Sequence, residues 1–364
     1  MVDNSRSDFS IVNVLDVPIR EVSDLRRLLQ SLGAGPQHAS RFLRAWLHRR
    51  PLRAGRALPE HHFPRRLLEA EPALRRALEA LVEPVSEHPS PEDGSTRLLL
   101  KLSDERTVES VILPRQGVCV STQIGCAVGC RFCMTGRDGL IRQLGSAEIV
   151  AQVVLARGLA PVRKVVFMGM GEPAHNLEAV LEAIELLGRE GGLAHKQLVF
   201  STVGDPRAFT ALRQAPVKPA LALSLHTTRE ALRRELLPKA PAMTPQALIE
   251  AAAGYAEATG YPLQVQWTLL EGVNDDDEEI EGIERLLRGR HAMLNLIPFN
   301  SVEGSGFRRP SWERAADMAR RLNRVGIYTR LRRSAGQDVD GGCGQLRSRL
   351  PVVTVHRNPP TKAA

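Results

Sequence analysis

An α/β fold is predicted: a partial barrel of about six strand–helix units behind a small helical module. Three observations carry this. Short apolar runs alternate with helical stretches over the last two thirds of the chain, and the crossovers are long enough for parallel strand pairing. The first 80 or so positions show only helical spacing. A stretch rich in Pro, Glu and Ser separates the two patterns.

The helical module starts at Val22. Leu25, Leu28, Leu29 and Leu32 recur at helical spacing, Gly33-Ala-Gly-Pro36 breaks the run, and Phe42, Leu43, Trp46 and Leu47 resume it. Residues 83–93 (Glu-Pro-Val-Ser-Glu-His-Pro-Ser-Pro-Glu-Asp) read as a linker. Then come β-like runs at Thr96–Leu102, Val108–Leu113 and Val118–Ser121. The alternating part offers strands at Lys164–Met168, Gln197–Thr202, Ala220–Leu225, Leu263–Leu269, Met293–Ile297 and Ile327–Leu331. Helices lie between them, among others at Ala147–Arg157, Asn176–Leu187 and Glu278–Leu287. The expected organisation is a helical accessory domain with linker over 1–92, the main domain over 93–350, and a tail over 351–364.

At 364 residues and 43% hydrophobic the chain can bury a full core. It has no apolar run of membrane-spanning length, and its first residues lack a basic-then-apolar leader pattern. The expectation is a cytoplasmic protein with no membrane partner. The formal charge of +8 favours a polyanion such as nucleic acid, although arginine pairs (Arg49-Arg50, Arg65-Arg66, Arg233-Arg234, Arg332-Arg333) are equally compatible with solvated helix faces. Aromatics, at 4%, are few for a stacking platform.

Ligand sites in parallel α/β sheets lie at the carboxyl ends of the strands. Four such ends are polar or glycine-rich: Val166 to Pro173, containing Gly171 and Glu172; Phe200 to Gly204, containing Ser201; Ser224-Leu225-His226; and Asn295 to Asn300. Glycines let the backbone approach a ligand, and the Glu172 carboxylate could accept from an ammonium. Each alone is as easily a cap or turn.

The densest signal is Cys126, Cys130 and Cys133, spaced C-x3-C-x2-C and making up three of the five cysteines. Structural zinc would need a fourth ligand nearby, and the next histidine is His175. An iron–sulfur cubane held by three thiolates keeps one iron open. Cys119 reads as a core strand residue. Cys343, between glycines, sits in a sterically open loop and is either a nucleophile or an incidental surface thiol.

The C-x3-C-x2-C loop resembles the signature of the radical S-adenosylmethionine (SAM) enzymes. With it, in order, stand Val118-Cys-Val-Ser-Thr-Gln-Ile-Gly-Cys126, Gly169-Met-Gly-Glu-Pro173, Ser224-Leu-His226, Gly272-Val-Asn-Asp275, Asn295-Leu-Ile-Pro298 and Asp338-Val-Asp-Gly-Gly-Cys-Gly-Gln-Leu346. Together they resemble the RlmN/Cfr-type radical SAM RNA methyltransferases over roughly residues 95–347. The resemblance implies a partial (βα)6 radical SAM barrel, with a [4Fe–4S] cluster on Cys126, Cys130 and Cys133. It implies SAM contacts at Gly171, Glu172, Ser201, Ser224, Leu225, His226 and Asn300. Cys343 would carry a methyl group, Cys119 would release the product by forming a transient disulfide, and Glu109 would accept a proton. The implied substrate is an adenine ring carbon, C2 or alternatively C8, of 23S rRNA or tRNA, or another RNA adenosine. The implied partners are an electron donor such as flavodoxin and a thiol reductant.

Overall fold

The computed structural model describes residues 19–52 and 58–347, so the tail over 351–364 and the first part of the accessory module lie outside the described residues. One ten-stranded sheet organises the chain. Its antiparallel flank runs β1 (Val82–Pro89), β2 (Thr96–Leu102), β3 (Thr107–Leu113) and β4 (Gly117–Cys119). A short separate hairpin, β5 (Gln123–Gly125) with β6 (Leu140–Gln143), brackets the cysteine loop. From β4 the sheet continues in parallel through β7 (Lys164–Phe167), β8 (Leu198–Thr202), β9 (Ala220–Ser224), β10 (Leu263–Leu269), β11 (Ala292–Pro298) and β12 (Thr329–Leu331). The expected α/β partial barrel is therefore present.

Strand register explains why this sheet has a polar inside. Side chains alternate faces along a strand, and paired residues share a face. Cys119 pairs with Val166, Ser201 with Ala222, and Ser224 with Gln266, which pairs with Asn295 and it in turn with Arg330. These lie on the inner face. The outer face carries Phe167, Phe200, Leu223, Trp267 and Leu296, all fully buried under the crossover helices. Burying the outer row at about 25 cal/mol per Å2 is what holds the barrel; the inner row is left for chemistry.

The helical module is α1 (Val22–Ser31), α2 (Pro36–Leu47) and α3 (Arg65–Glu79). It shares one apolar core with the barrel, continuous from Ile19 through Trp46 and Leu74 to Val154 and Leu187. It is stitched to α4 (Ser146–Leu159) and α5 (Leu177–Arg189) by polar contacts. Val22 N–H donates to Ser146 Oγ at 2.7 Å, Ser146 N–H to Glu21 Oε2 at 2.7 Å, and Arg44 pairs with Glu190 at 2.5 Å.

The expected linker over 83–93 is a correction, because most of it is β1. Its prolines misled the reading. They are tolerated because β1 is the sheet's edge, Pro84 sits at a register shift, and Pro89 is the last residue. Among the described residues no helix is long and apolar enough to cross a membrane.

Candidate active site

The hairpin fixes the cysteine loop by close backbone approach. Gly125 has φ +74°, and a Cβ there would stand 2.0 Å from the Gly139 carbonyl oxygen; that carbonyl accepts from Cys126 N–H at 2.9 Å. Val128, Phe132, Val203, Leu236 and Phe299 wall the loop with apolar surface. Burial pushes the Cys126 thiol up to about 12 and Cys130 well above its usual value, and mutual repulsion with Cys133 adds to both shifts. The three thiols thus lie within electrostatic reach of one another on a loop walled by apolar surface. Among the described residues no three His, Cys, Asp or Glu side chains converge on a single ion. A cluster spreads its thiolates over separate irons and brings the positive charge that lets them ionise, so this donor set fits a cluster better than zinc.

Across from the loop, β7 ends in Gly169-Met-Gly-Glu172. A Cβ at Gly171 (φ +104°) would be 2.6 Å from Gln123 Cβ, so the turn must be glycine. Gln123 Oε1 accepts from Glu172 N–H at 2.7 Å, and the Glu172 carboxylate accepts from Ala174 N–H at 3.1 Å and Val203 N–H at 3.0 Å. Burial raises this carboxyl from 4.5 to about 7, despite those donors. It is poised to ionise when a cation arrives.

A prediction follows for the metal-free protein. Between pH 4.5 and 7 the folded state keeps a proton that the unfolded state has released, so Glu172 makes stability fall as pH rises, by about 3 kcal/mol in all. Glu172→Gln should flatten that part of a urea-denaturation pH profile. An unchanged slope would show that another group is responsible.

Ser201 and Ser224 stand on the inner face. Leu225 is buried, with its N–H donating to Gln266 O at 3.1 Å. His226 has φ +65°, held by Thr268 N–H donating to its Nδ1 at 2.9 Å and by Asn274 Nδ2 donating to its carbonyl at 2.7 Å. Its ring meets Phe132 edge-on at 4.8 Å, and burial pushes its pKa down to about 3. The imidazole is therefore neutral with its proton on Nε2.

Sequence reasoning missed Arg233, which it read as half of a surface arginine pair. The residue is 3% exposed, and its guanidinium donates to the carbonyls of Val203, Ser224 (3.1 Å) and Leu225 (2.7 Å). It ties two strand ends together and sets a positive charge toward Cys130 and Glu172. The signal was the spacing Arg233, Leu236, Leu237, which puts the arginine on a buried helical face.

The C-terminal segment closes over the loop. Met134 N–H donates to Gly344 O at 2.7 Å, and Thr135 Oγ1 to Leu346 O at 2.6 Å. Asn300, expected to meet a ligand, spends its side chain here: Nδ2 donates to Cys343 O and Ser334 Oγ, both at 2.9 Å, and Oδ1 accepts from Gln337. Cys343 is solvent-accessible, yet the protein around it pushes its thiol up. Charge on Cys343 raises Cys119 further, and charge on Cys133 raises Cys343. Cys119, Cys343 and the cysteine loop therefore lie within electrostatic reach of one another, and both former thiols are free.

Glu109 lies beside Cys119 on the same sheet face and is fully buried. Its carboxylate pairs with Arg97 and accepts from Arg347 N–H at 2.9 Å, while Arg97 Nε donates to Val339 O at 2.5 Å. The surface arginines divide. Arg49 packs against Gly158 near the start of β7, at the amino end of the strands, whereas Arg332 and Arg333 follow β12 at the carboxyl end.

Residues 120–282 match the radical SAM superfamily. The chain is 65% identical over 326 residues to a probable RNA methyltransferase of Thiobacillus denitrificans, covering 90% of each. It is 58% identical over 343 residues to another of Pseudomonas aeruginosa, covering 94% of this chain and 99% of the other. Among solved structures, a radical SAM methyltransferase from Sphaerobacter thermophilus superposes with TM-score 0.76 at 33% identity. That match covers 90% of this chain and 97% of the other.

Proposed function

This chain belongs to the radical SAM methyltransferases, and from that footing we propose that it methylates RNA at an adenine ring carbon, C2, in 23S rRNA and tRNA, through a methyl group carried on Cys343. The observation that supports this most is the convergence of two free thiols, Cys119 and Cys343, beside the three-cysteine loop. A binding module would have no use for that pair.

Cys126, Cys130 and Cys133 would hold a [4Fe–4S] cluster, which with SAM bound supplies the electron that breaks a SAM carbon–sulfur bond. The chain's own residues do the rest. Glu172, set by the tight turn at Gly171, receives the SAM ammonium, and its raised pKa means ionisation follows the arriving cation. Ser201 and Ser224 line the SAM side of the barrel, and Leu225 follows Ser224 at the end of its strand. Neutral His226 offers an Nε2 proton as donor. Asn300 holds the Cys343 carbonyl and so fixes the backbone that carries the methyl-bearing sulfur.

Once the methyl carbon is bonded to the adenine, Glu109 takes the proton of the ring carbon. Cys119, as thiolate, attacks Cys343 sulfur. The S–S bond forms, the C–S bond breaks, and its electron pair passes to the RNA-bound carbon, which takes up a proton from water to become the methyl group. A thiol reductant must then return two electrons to the disulfide, and a donor such as flavodoxin feeds the cluster. These partners place the enzyme in a reducing cytoplasm.

Nucleoside mass spectrometry of rRNA and tRNA from a deletion strain against its parent tests the reading. Loss of 2-methyladenosine is expected. Loss of 8-methyladenosine moves the target to C8, and no change in either excludes both positions.

A further inference from the structure

The exposed end of the sheet carries a feature that the catalytic residues do not use. β12 is the edge strand, and its neighbouring residues are strongly basic. Tyr328, Arg330 and Arg332 alternate with Thr329 and Leu331 and so share the inner face with Asn295, whose Oδ1 accepts from Arg332 Nε at 2.6 Å. Arg330 lies 5.2 Å over the Tyr328 ring. Just past the strand, Arg333 lies 5.1 Å over the ring of Trp312, the first residue of α10 (Trp312–Arg324).

Trp312 and Tyr328 are each 49% exposed and are the only aromatics among the large apolar side chains that stand out from the described surface. Two exposed rings in a chain with three Trp and three Tyr, both stacked by arginine and both on this edge, are more than scatter. The positive charge is also unanswered. Arg115, Lys164, Arg330, Arg332 and Arg333 form no salt bridge among the described residues, whereas their neighbours Arg314, Arg320, Arg321 and Arg347 all do. Arg332 feels repulsion from Arg330, Arg115 and Lys164, and attraction from Cys343. Arg330, Arg332 and Arg333, three cations on this edge with no salt bridge among the described residues, call for a polyanion. From Tyr328 to Arg333 the stripe runs about 17 Å, room for two or three nucleotides.

We propose that this edge, β12 with the first turn of α10, docks the single-stranded RNA that flanks the target adenine: Tyr328 and Trp312 stack on bases, and Arg330, Arg332 and Arg333 take phosphates. The proposal rests on the RNA reading above. Stacking on aromatic rings is sequence-tolerant and suits a segment held only so that one base can enter the barrel.

The test is fluorescence anisotropy of a labelled 15-nucleotide single-stranded RNA with a central adenosine, across a KCl series, on the iron-loaded protein. Trp312→Ala and Tyr328→Ala should each weaken binding about tenfold. Arg330→Ala with Arg333→Ala should make the log–log salt slope shallower by about 1.4. A control removing equal charge from the outer helix α9 (Asp277–Leu287) and its end, Arg285→Ala with Arg288→Ala, should leave the slope within about 0.3 of the parent. All these side chains are partly exposed; should the tryptophan variant unfold, Tyr328→Ala alone carries the stacking test. Parent-like affinity and slope in the edge variants would overturn the proposal. So would unchanged RNA affinity combined with slower reduction by flavodoxin, which would make the edge an acidic-protein dock. If the parent itself fails to bind RNA, the functional reading falls too; if it binds and only the edge variants are silent, only this surface is wrong.

Discussion

Cys343→Ala is expected to abolish methylation of RNA, a fall of at least about 10³-fold in product, while leaving fold and iron content intact. The side chain is accessible and its loop flanks are glycine, so truncation should change stability by no more than about 0.5 kcal/mol. That separation gives the experiment its force: loss of activity cannot be blamed on unfolding. The companion variant Cys119→Ala keeps the carrier and removes the displacing thiol. It should accumulate RNA covalently joined to Cys343, visible as a ribonuclease-sensitive shift on a denaturing gel. Methylated adenosine formed by Cys343→Ala would end the carrier mechanism, because no other described thiol outside the three-cysteine loop except buried Cys119 is available to replace it.

Much of this site was legible in the chain because its signals are local. The C-x3-C-x2-C spacing and the strand-end glycines are short-range patterns, and the structure brings them to one end of one sheet. Strand ends fell within about two residues of their expected positions where Val, Ile and Leu ran unbroken, as in Leu263–Leu269. What failed was long-range. β1 was read as a linker because prolines forbid a central strand, and nothing in residues 83–93 says that they lie at an edge. The hairpin β5–β6 escaped because each arm is three or four residues long and its partner lies beyond the cysteine loop. Arg233 looked like surface charge since only its tertiary contacts with carbonyls show that it is inside. The contacts of Asn300 with Cys343 and Ser334, 43 and 34 residues away, were equally out of local reach.

Arg97→Met should be among the most damaging changes outside the cysteines, for a reason visible only in three dimensions. Arg97 is 5% exposed and Glu109 not at all, so the variant takes from a buried carboxylate the guanidinium that pairs with it. Breaking one side of such a pair costs about 3–5 kcal/mol, which for a chain of this size lowers the melting temperature by roughly 5 °C. The effect should not stay local. Arg97 also holds Val339 O, and Glu109 holds Arg347 N–H, so the same pair fastens both ends of the segment bearing Cys343. Limited proteolysis should therefore cut the variant between 334 and 347, where the parent resists. Adding Glu109→Gln removes the buried charge and should restore most of the stability without restoring methylation, since the proposed proton acceptor has gone with it. Arg97→Lys keeps the charge but cannot reach both partners, and should fall between parent and Arg97→Met. If Arg97→Met melts within about 1 °C of the parent, the pair is too hydrated to matter and the Cys343 segment must be held by Asn300 and the contacts of Met134 and Thr135 instead.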